Sequence, residues 1–268
     1  MPEEYSQPIA NLTDSHAHLT VSEYCHDLDE IISRAQKSQM YRLINMGTNL
    51  QDSQEGIEIA HRHDFILTTV GIHPQESFGI TEKEIEKIEL MAKDSRVIAI
   101  GEIGLDYYRE YVSHAQQISV FQQQLALAQK QKLPVVIHSR QAEEDTQKIL
   151  SEWASSQSSK EKLGAIHCFN GSLGIALYYI RMGFYISLGA YIGYPSSKAL
   201  REVVRQLPLE SILLETDCPY LPPQGKRGQR NEPSYIEATA RELSIILQKS
   251  SEEIATVTTE NCRNLFRI

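Results

Sequence analysis

Eight short runs rich in apolar and β-branched residues recur along this chain, at residues 12–18, 41–47, 66–73, 97–102, 134–138, 164–169, 184–189 and 212–217. The segments between them have helical apolar spacing. From Asp27 to Gln39, Leu28, Ile31, Ile32 and Ala35 fall on one stripe. Thr81, with Glu84 three residues on, reads as a capping box leading into Ile85, Ile88 and Ala92, and Ile118 to Lys132 is strongly helical. Strands that alternate with helices pair in parallel through right-handed crossovers. An open doubly wound sheet satisfies that pattern. At 268 residues, a single-domain α/β fold over 1–268, closed as a (β/α)8 TIM barrel, explains more. The runs end in polar residues of metal-ligand type, and a barrel opens every carboxyl end of its strands on one rim.

His16 and His18 close the first run. Alternate side chains of a strand leave the same face, so both rings can offer a neutral nitrogen to one cation. His61-Arg62-His63 has the same spacing but ends a helical segment, where residues two apart do not face each other, and reads as a surface pair. Glu102 follows the apolar Val97 to Gly101, and a carboxylate there requires positive partners. Its two oxygens suit a bridge between two cations, while Arg109 and Arg140 are candidate ion-pair partners. His138 and His167 end separate strands and complete a second nitrogen pair. Asp217 is suited to ligate a metal while accepting a proton from attacking water, or else to cap the next helix. Asp14 reads as an orienting partner for a ligand, and Glu215, on the strand face of Asp217, as a supporting or substrate-facing group. His73, before Pro74, fits a structural or a substrate-contacting role.

Lys+Arg 26 against Asp+Glu 35 gives a net charge of -9, which argues against a broad basic surface for nucleic acid. An anionic substrate must be attracted locally. The segment Lys226-Arg227-Gly228-Gln229-Arg230 follows the last strand and is expected over the rim, making Lys226, Arg227 and Arg230 candidate backbone contacts or a solvated basic loop. Tyr107, Tyr108 and Tyr111 can stack on bases or cover the rim, and Arg140 is a further candidate for substrate contact. The four cysteines show no CxxC pair, Met1 to Tyr5 lacks a basic-then-apolar leader, and no apolar run approaches the ~20 residues of a membrane span. A cytoplasmic protein with reduced thiols and no membrane association is expected. Ser155 to Lys160 reads as an exposed loop after a helix.

The stretches Asp14-Ser15-His16-Ala17-His18-Leu19, Gly71-Ile72-His73-Pro74, Gly101-Glu102-Ile103-Gly104-Leu105-Asp106-Tyr107, Pro134-Val135-Val136-Ile137-His138-Ser139-Arg140, His167-Cys168-Phe169, Glu215-Thr216-Asp217-Cys218-Pro219-Tyr220, Arg230-Asn231-Glu232-Pro233 and Glu260-Asn261-Cys262-Arg263-Asn264-Leu265-Phe266 span nearly the whole chain. Through them the chain closely resembles the TatD family of metal-dependent deoxyribonucleases, within the amidohydrolase-like barrel superfamily. The resemblance implies that His16, His18 and Asp217 hold one divalent ion, that Glu102 bridges, and that His138 and His167 hold the other. It also implies cleavage of phosphodiester bonds in DNA, from an end or on single strands, with Glu102 and Asp217 catalytic and no obligate protein partner. Zn²⁺, Mn²⁺ and Mg²⁺ all suit mixed nitrogen and oxygen ligands. Two departures bear on substrate preference: Asn170 stands where relatives usually carry serine, and residues 222–230 read differently from the usual loop. Small cyclic amides and D-aminoacyl-tRNA esters are the alternative substrates; many small-molecule amidohydrolases bridge their ions with a carboxylated lysine, where this chain offers Glu102.

Overall fold

The computed structural model describes residues 9–157 and 162–268. The readings made on Met1 to Tyr5, and on the end of the loop from Ser155 to Lys160, lie outside the described residues. The strands are β1 (Thr13–Ala17), β2 (Arg42–Asn45), β3 (Ile66–Val70), β4 (Val97–Asp106), β5 (Val135–Arg140), β6 (Gly164–Ile166), β7 (Phe184–Leu188) and β8 (Ile212–Leu214). They pair in parallel in sequence order, β1 to β8. The segment after β8 returns to β1, where the Asp217 N–H donates to the His16 carbonyl and the His18 N–H to the Cys218 carbonyl, both at 2.9 Å. The expected α/β barrel is the fold, and its strands deliver their carboxyl ends to one rim.

The helices are α1 (Leu28–Lys37), α2 (Leu50–Arg62), α3 (Glu82–Met91), α4 (His114–Gln131), α5 (Glu143–Ser155), α6 (Leu173–Arg181), α7 (Lys198–Val204), α8 (Ile236–Leu247) and α9 (Ser251–Phe266). The predicted capping box is present at α3, with the Glu84 carboxylate accepting the Thr81 N–H at 3.1 Å. The long fourth helix starts four residues earlier than the apolar pattern indicated, at His114, because Ser113 caps it through the Gln116 N–H.

Two apolar layers hold the barrel. Ile31, Ile57, Ile88, Phe121 and Leu243 of the helices join Leu43, Val70, Ile100, Ile137 and Ile186 of the strands in one buried cluster. A second cluster, Ile44, Met46, Leu67, Ala99, Val136, Ala165 and Leu213, meets Cys262, Leu265 and Phe266 at the end of α9. Val136, Ala165 and Leu213 each precede a polar residue of the rim, His138, His167 and Glu215, by two positions and so share its face. The apolar floor of the barrel therefore lies directly beneath the polar rim.

The structure corrects several run boundaries. β1 ends at Ala17, β3 at Val70 and β8 at Leu214, whereas β4 continues past Glu102 to Asp106 and β5 past His138 to Arg140. Glu102 and His138 are thus interior to their strands. The extension of β4 passes through a register shift between Ile100 and Ile103 and depends on Gly104, whose φ of +140 suits glycine and where a Cβ would stand 2.0 Å from the His138 carbonyl. All four cysteines are free. Among the described residues no helix is long and apolar enough to cross a membrane.

Gly104→Ala should lower the unfolding free energy by about 3 kcal/mol or more, from the contact with β5 and the disfavoured φ together. Urea denaturation measures this, and a variant as stable as the parent would contradict the described pairing of β4 with β5.

Candidate metal centre

Glu102 stands at the centre of the rim. Its Oε2 lies 3.5 Å from His16 Nε2 and 3.6 Å from His18 Nε2. Its Oε1 lies 2.7 Å from His138 Nδ1, 3.7 Å from His167 Nε2 and 4.0 Å from His73 Nε2. One carboxylate therefore turns one oxygen to each set of histidines, as a bridging group requires, and no arginine is among its ion-pair partners in the described residues. Asp217 Oδ1 adds contacts of 3.4 Å to His18 Nε2 and 3.8 Å to both His16 Nε2 and His167 Nε2.

The donor set fits a divalent cation. Ligand atoms about 2.1 Å from a tetrahedral ion are roughly 3.4 Å apart. The Nε2 atoms of His16 and His18 are 3.2 Å apart, and with Asp217 they already have that spacing. His16, Glu102 and His167 form a second group of mutually close donors, and His73, Glu102 and His138 a third. The expected pairing of His138 with His167 is looser, with ring centroids 6.2 Å apart, although both rings face the same Glu102 oxygen. The His138 ring is held between two acids: its Nε2 faces Asp106 Oδ2 at 3.4 Å without a hydrogen-bonding alignment.

His73 differs from the others. Its Nδ1 accepts the Gln75 N–H at 3.2 Å, so the neutral ring carries its proton on Nε2, the nitrogen turned towards Glu102. Burial and the neighbouring His138 push its pKa down to about 3. It presents a neutral N–H to the site and also caps the short 3-10 helix Pro74–Glu76, which is the structural role read from the sequence.

A surrounding layer fixes these rings. Glu215, fully buried, faces His167 Nδ1 at 3.0 Å and accepts the Cys168 N–H at 2.8 Å, which directs His167 Nε2 to the centre. Asp14 acts on the backbone and not on a ring: it accepts the N–H groups of His16 (3.2 Å) and Thr216 (2.9 Å) and the Thr216 hydroxyl (2.6 Å). Asn231, which in the sequence has no signature beyond the Arg-Asn-Glu-Pro motif, donates to the carbonyls of Thr216 (2.8 Å) and Tyr220 (2.7 Å) and so holds the loop that carries Asp217 at a φ of 54. Asp106 was missed. It is buried, faces His138 and accepts the N–H groups of Tyr108 (2.9 Å) and Arg109 (3.2 Å); its even spacing from Glu102 on one strand was the available signal.

Burial alone would raise Glu102, but the charges of His16 and His167 and the hydrogen bond from His138 hold it well below the usual carboxylate range. Burial works against the charge on His167 too, yet Glu215, Asp217 and Glu102 push it up to about 10.

A cavity of about 770 Å³ opens at these groups, its lining including the charged Arg109, Arg140, Glu76 and Glu143, the apolar or aromatic Phe169, Ile175, Tyr179 and Leu221, and Asn170. The expected basic overhang does not line it. Lys226 lies over the Tyr235 ring (4.3 Å), Arg227 over Tyr194 (4.8 Å), and Arg230 pairs with Asp27 (2.9 Å), so these cations face aromatic and acidic partners of their own. Tyr107 packs, stacking on His114 and donating its hydroxyl to Asp145 at 2.6 Å. Tyr108 and Tyr111 are exposed. His61 binds Asp94 at 3.0 Å while His63 ends α2, so the second His-x-His forms no pair.

A family model described as TatD related DNase matches residues 13–267. A metal-dependent hydrolase of Bacillus subtilis, YabD, is 38% identical over 96% of this chain and 99% of its own. A protein of Erwinia tasmaniensis named 3'-5' ssDNA/RNA exonuclease TatD is 31% identical over 95% of this chain and 99% of its own. The crystal structure of YjjV, a TatD homologue from Escherichia coli, superposes with a TM-score of 0.89 at 28% identity, covering 97% of this chain and 99% of that one.

Metal uptake by the apoprotein should release protons. His167, raised to about 10, is protonated at neutral pH and must lose that proton to donate an electron pair. Affinity should rise with pH, by about tenfold per unit for each proton displaced, until the raised pKa is passed. Calorimetric titration in buffers of different ionisation enthalpy reads the proton count; a pH-independent affinity with no release would contradict this charge state.

Proposed function

Because the chain belongs to the TatD-related DNase family, and is a metal-dependent hydrolase acting on ester bonds, we propose that it hydrolyses phosphodiester bonds of DNA, working from an end or on single strands. In this reading residues 1–268 act as one catalytic unit in a reducing, cytoplasmic setting, which the four free cysteines favour. Two divalent cations would be held by His16, His18 and Asp217 on one side and by His138 and His167 on the other, with Glu102 shared. The single observation that carries the reading is the division of the Glu102 oxygens between the two histidine sets. The histidine-rich donors favour zinc for retention, with manganese or magnesium as alternative ions for turnover.

Bound there, divalent cations supply Lewis acidity towards a phosphoryl oxygen and make a nearby water more acidic. The protein's own groups do the rest. Burial would raise Asp217, but His167 and the hydrogen bond from His18 lower it, so its carboxylate is ionised at neutral pH and is placed to accept a proton from attacking water. His73 keeps an N–H directed at the same space, where it can donate to a phosphoryl oxygen as negative charge grows. Phe169, Ile175, Tyr179 and Leu221 also line the cavity and offer apolar surface to a base. The relative named as an exonuclease on single-stranded DNA and RNA supports the choice of substrate.

Glu102→Ala and His138→Ala should each lower kcat/KM on end-labelled single-stranded DNA by more than about 10³-fold and reduce bound metal, read from product ladders with added Zn²⁺, Mn²⁺ or Mg²⁺ and from elemental analysis. Full activity in both variants would falsify the assignment. His73→Ala should instead cost about 10²-fold in kcat with metal content retained; loss of metal in that variant would make His73 a ligand and not a donor.

A further inference from the structure

We propose that Arg109 and Arg140 clamp a second phosphate, distinct from the one being cleaved, so that a polynucleotide strand leaves the cavity over the β4 and β5 side of the rim. This rests on the phosphodiesterase reading and names what that site grips. Of the lysines and arginines in the described residues, only these two line the cavity. Neither guanidinium has a carboxylate within 4.0 Å or a hydrogen-bond acceptor among the described residues, whereas Arg230 is held by Asp27 at 2.9 Å. A guanidinium presents its five donors in a planar fork that matches a phosphate, and here those donors are open to the cavity.

Arg140 is backed through its side chain and Arg109 through its main chain. The Arg140 guanidinium lies 3.8 Å over the Tyr108 ring, which covers a flat face and leaves the N–H edge available. The Arg109 backbone is fixed by the Asp106 carboxylate at 3.2 Å, and the Gln75 amide donates to the carbonyls of Arg109 and Asp106, both at 3.0 Å. Asp106 also faces His138 at 3.4 Å, so one buried carboxylate ties the arginine loop to the metal-ligand candidates. Phe169, Ile175 and Leu221 add apolar lining, and Tyr220 stands edge-on to His18 with ring centroids 5.8 Å apart. The cavity thus offers both guanidinium and apolar or aromatic lining to a strand. Glu76 and Glu143 line it as well and oppose anions in general, so the attraction is confined to the two arginines. A strand carries the second anion that this arrangement asks for; a cyclic amide does not.

The test uses the metal-loaded protein with two substrates, a single-stranded oligodeoxynucleotide and bis(p-nitrophenyl) phosphate, which has one phosphate only. Arg109→Ala, Arg140→Ala and the double variant should lose at least about tenfold more kcat/KM on the oligonucleotide than on the small diester, mostly through KM, and each should reduce the salt slope of oligonucleotide binding by about one. Tyr108→Ala should follow Arg140→Ala while Tyr108→Phe stays near the parent. An oligonucleotide with a neutral methylphosphonate beside the scissile group should lose affinity on the parent but not on the double variant, which would make an internal phosphate the ligand. A loss that follows removal of a terminal phosphate would instead make the strand end the ligand, still at the same clamp. Equal losses on both substrates, or an unchanged oligonucleotide KM, would overturn the proposal. If the parent cleaves neither substrate, the phosphodiesterase reading fails, and oligonucleotide affinity by fluorescence anisotropy still decides the clamp: affinity unchanged in the double variant would overturn it.

Discussion

A carboxylate buried inside a barrel of apolar strands is the constraint on which the rest of the rim depends. Glu102 is 2% exposed, and an ion so placed is costly to hold unless positive charge surrounds it. The structure answers with imidazoles carried on or just after β1, β3, β5 and β6, directed at both of its oxygens. Once that requirement is met, the remaining positions follow: Asp217 balances the charge gathered on one side, Glu215 orients His167, and Asp106 flanks His138. The site is a neutralisation problem solved with groups that can exchange protons for metal ions.

Architecture and chemistry meet at the junction of first and last strands. A barrel must close, and here closure is made by the same short segments that carry ligand candidates, with main-chain bonds between residues 16–18 and 217–218. Asp14 and Asn231 reinforce the junction from either side, one through Thr216 and one through the carbonyls around Asp217. Glu232 extends the brace to α1 through Arg34 at 2.8 Å. The Arg-Asn-Glu-Pro stretch therefore serves the geometry of a residue some fifteen positions away, and Arg230, its first member, is occupied by Asp27.

What could be read from the chain alone was whatever depends on local period. Alternation of strand-like and helix-like segments identified the barrel, and period two placed His16 and His18 on one face. The same rule reaches Asp106 only if the strand runs past the charge of Glu102, and the register shift that carries β4 onward leaves no local trace except Gly104. The partners of Asp14 and Asn231 lie across long stretches of chain and have no local signature. The basic segment near residue 226 misled for a related reason: its charge is visible in sequence, while the tyrosines and the aspartate that engage it are supplied by remote elements. Arg109 was visible, but only as a partner for Glu102, since exposure to a cavity is not a property of sequence.

The hydrogen bonds from Asp14 to Thr216 join residues separated by 202 positions. During synthesis, the His-x-His segment leaves the ribosome long before its counterpart exists, and a nascent chain lacking the last strand has neither Asp217 nor a closed rim. Assembly of the donor set is therefore deferred until the last strand and its loop have been made. Incomplete products, stalled or truncated, are left without the full donor set around Glu102.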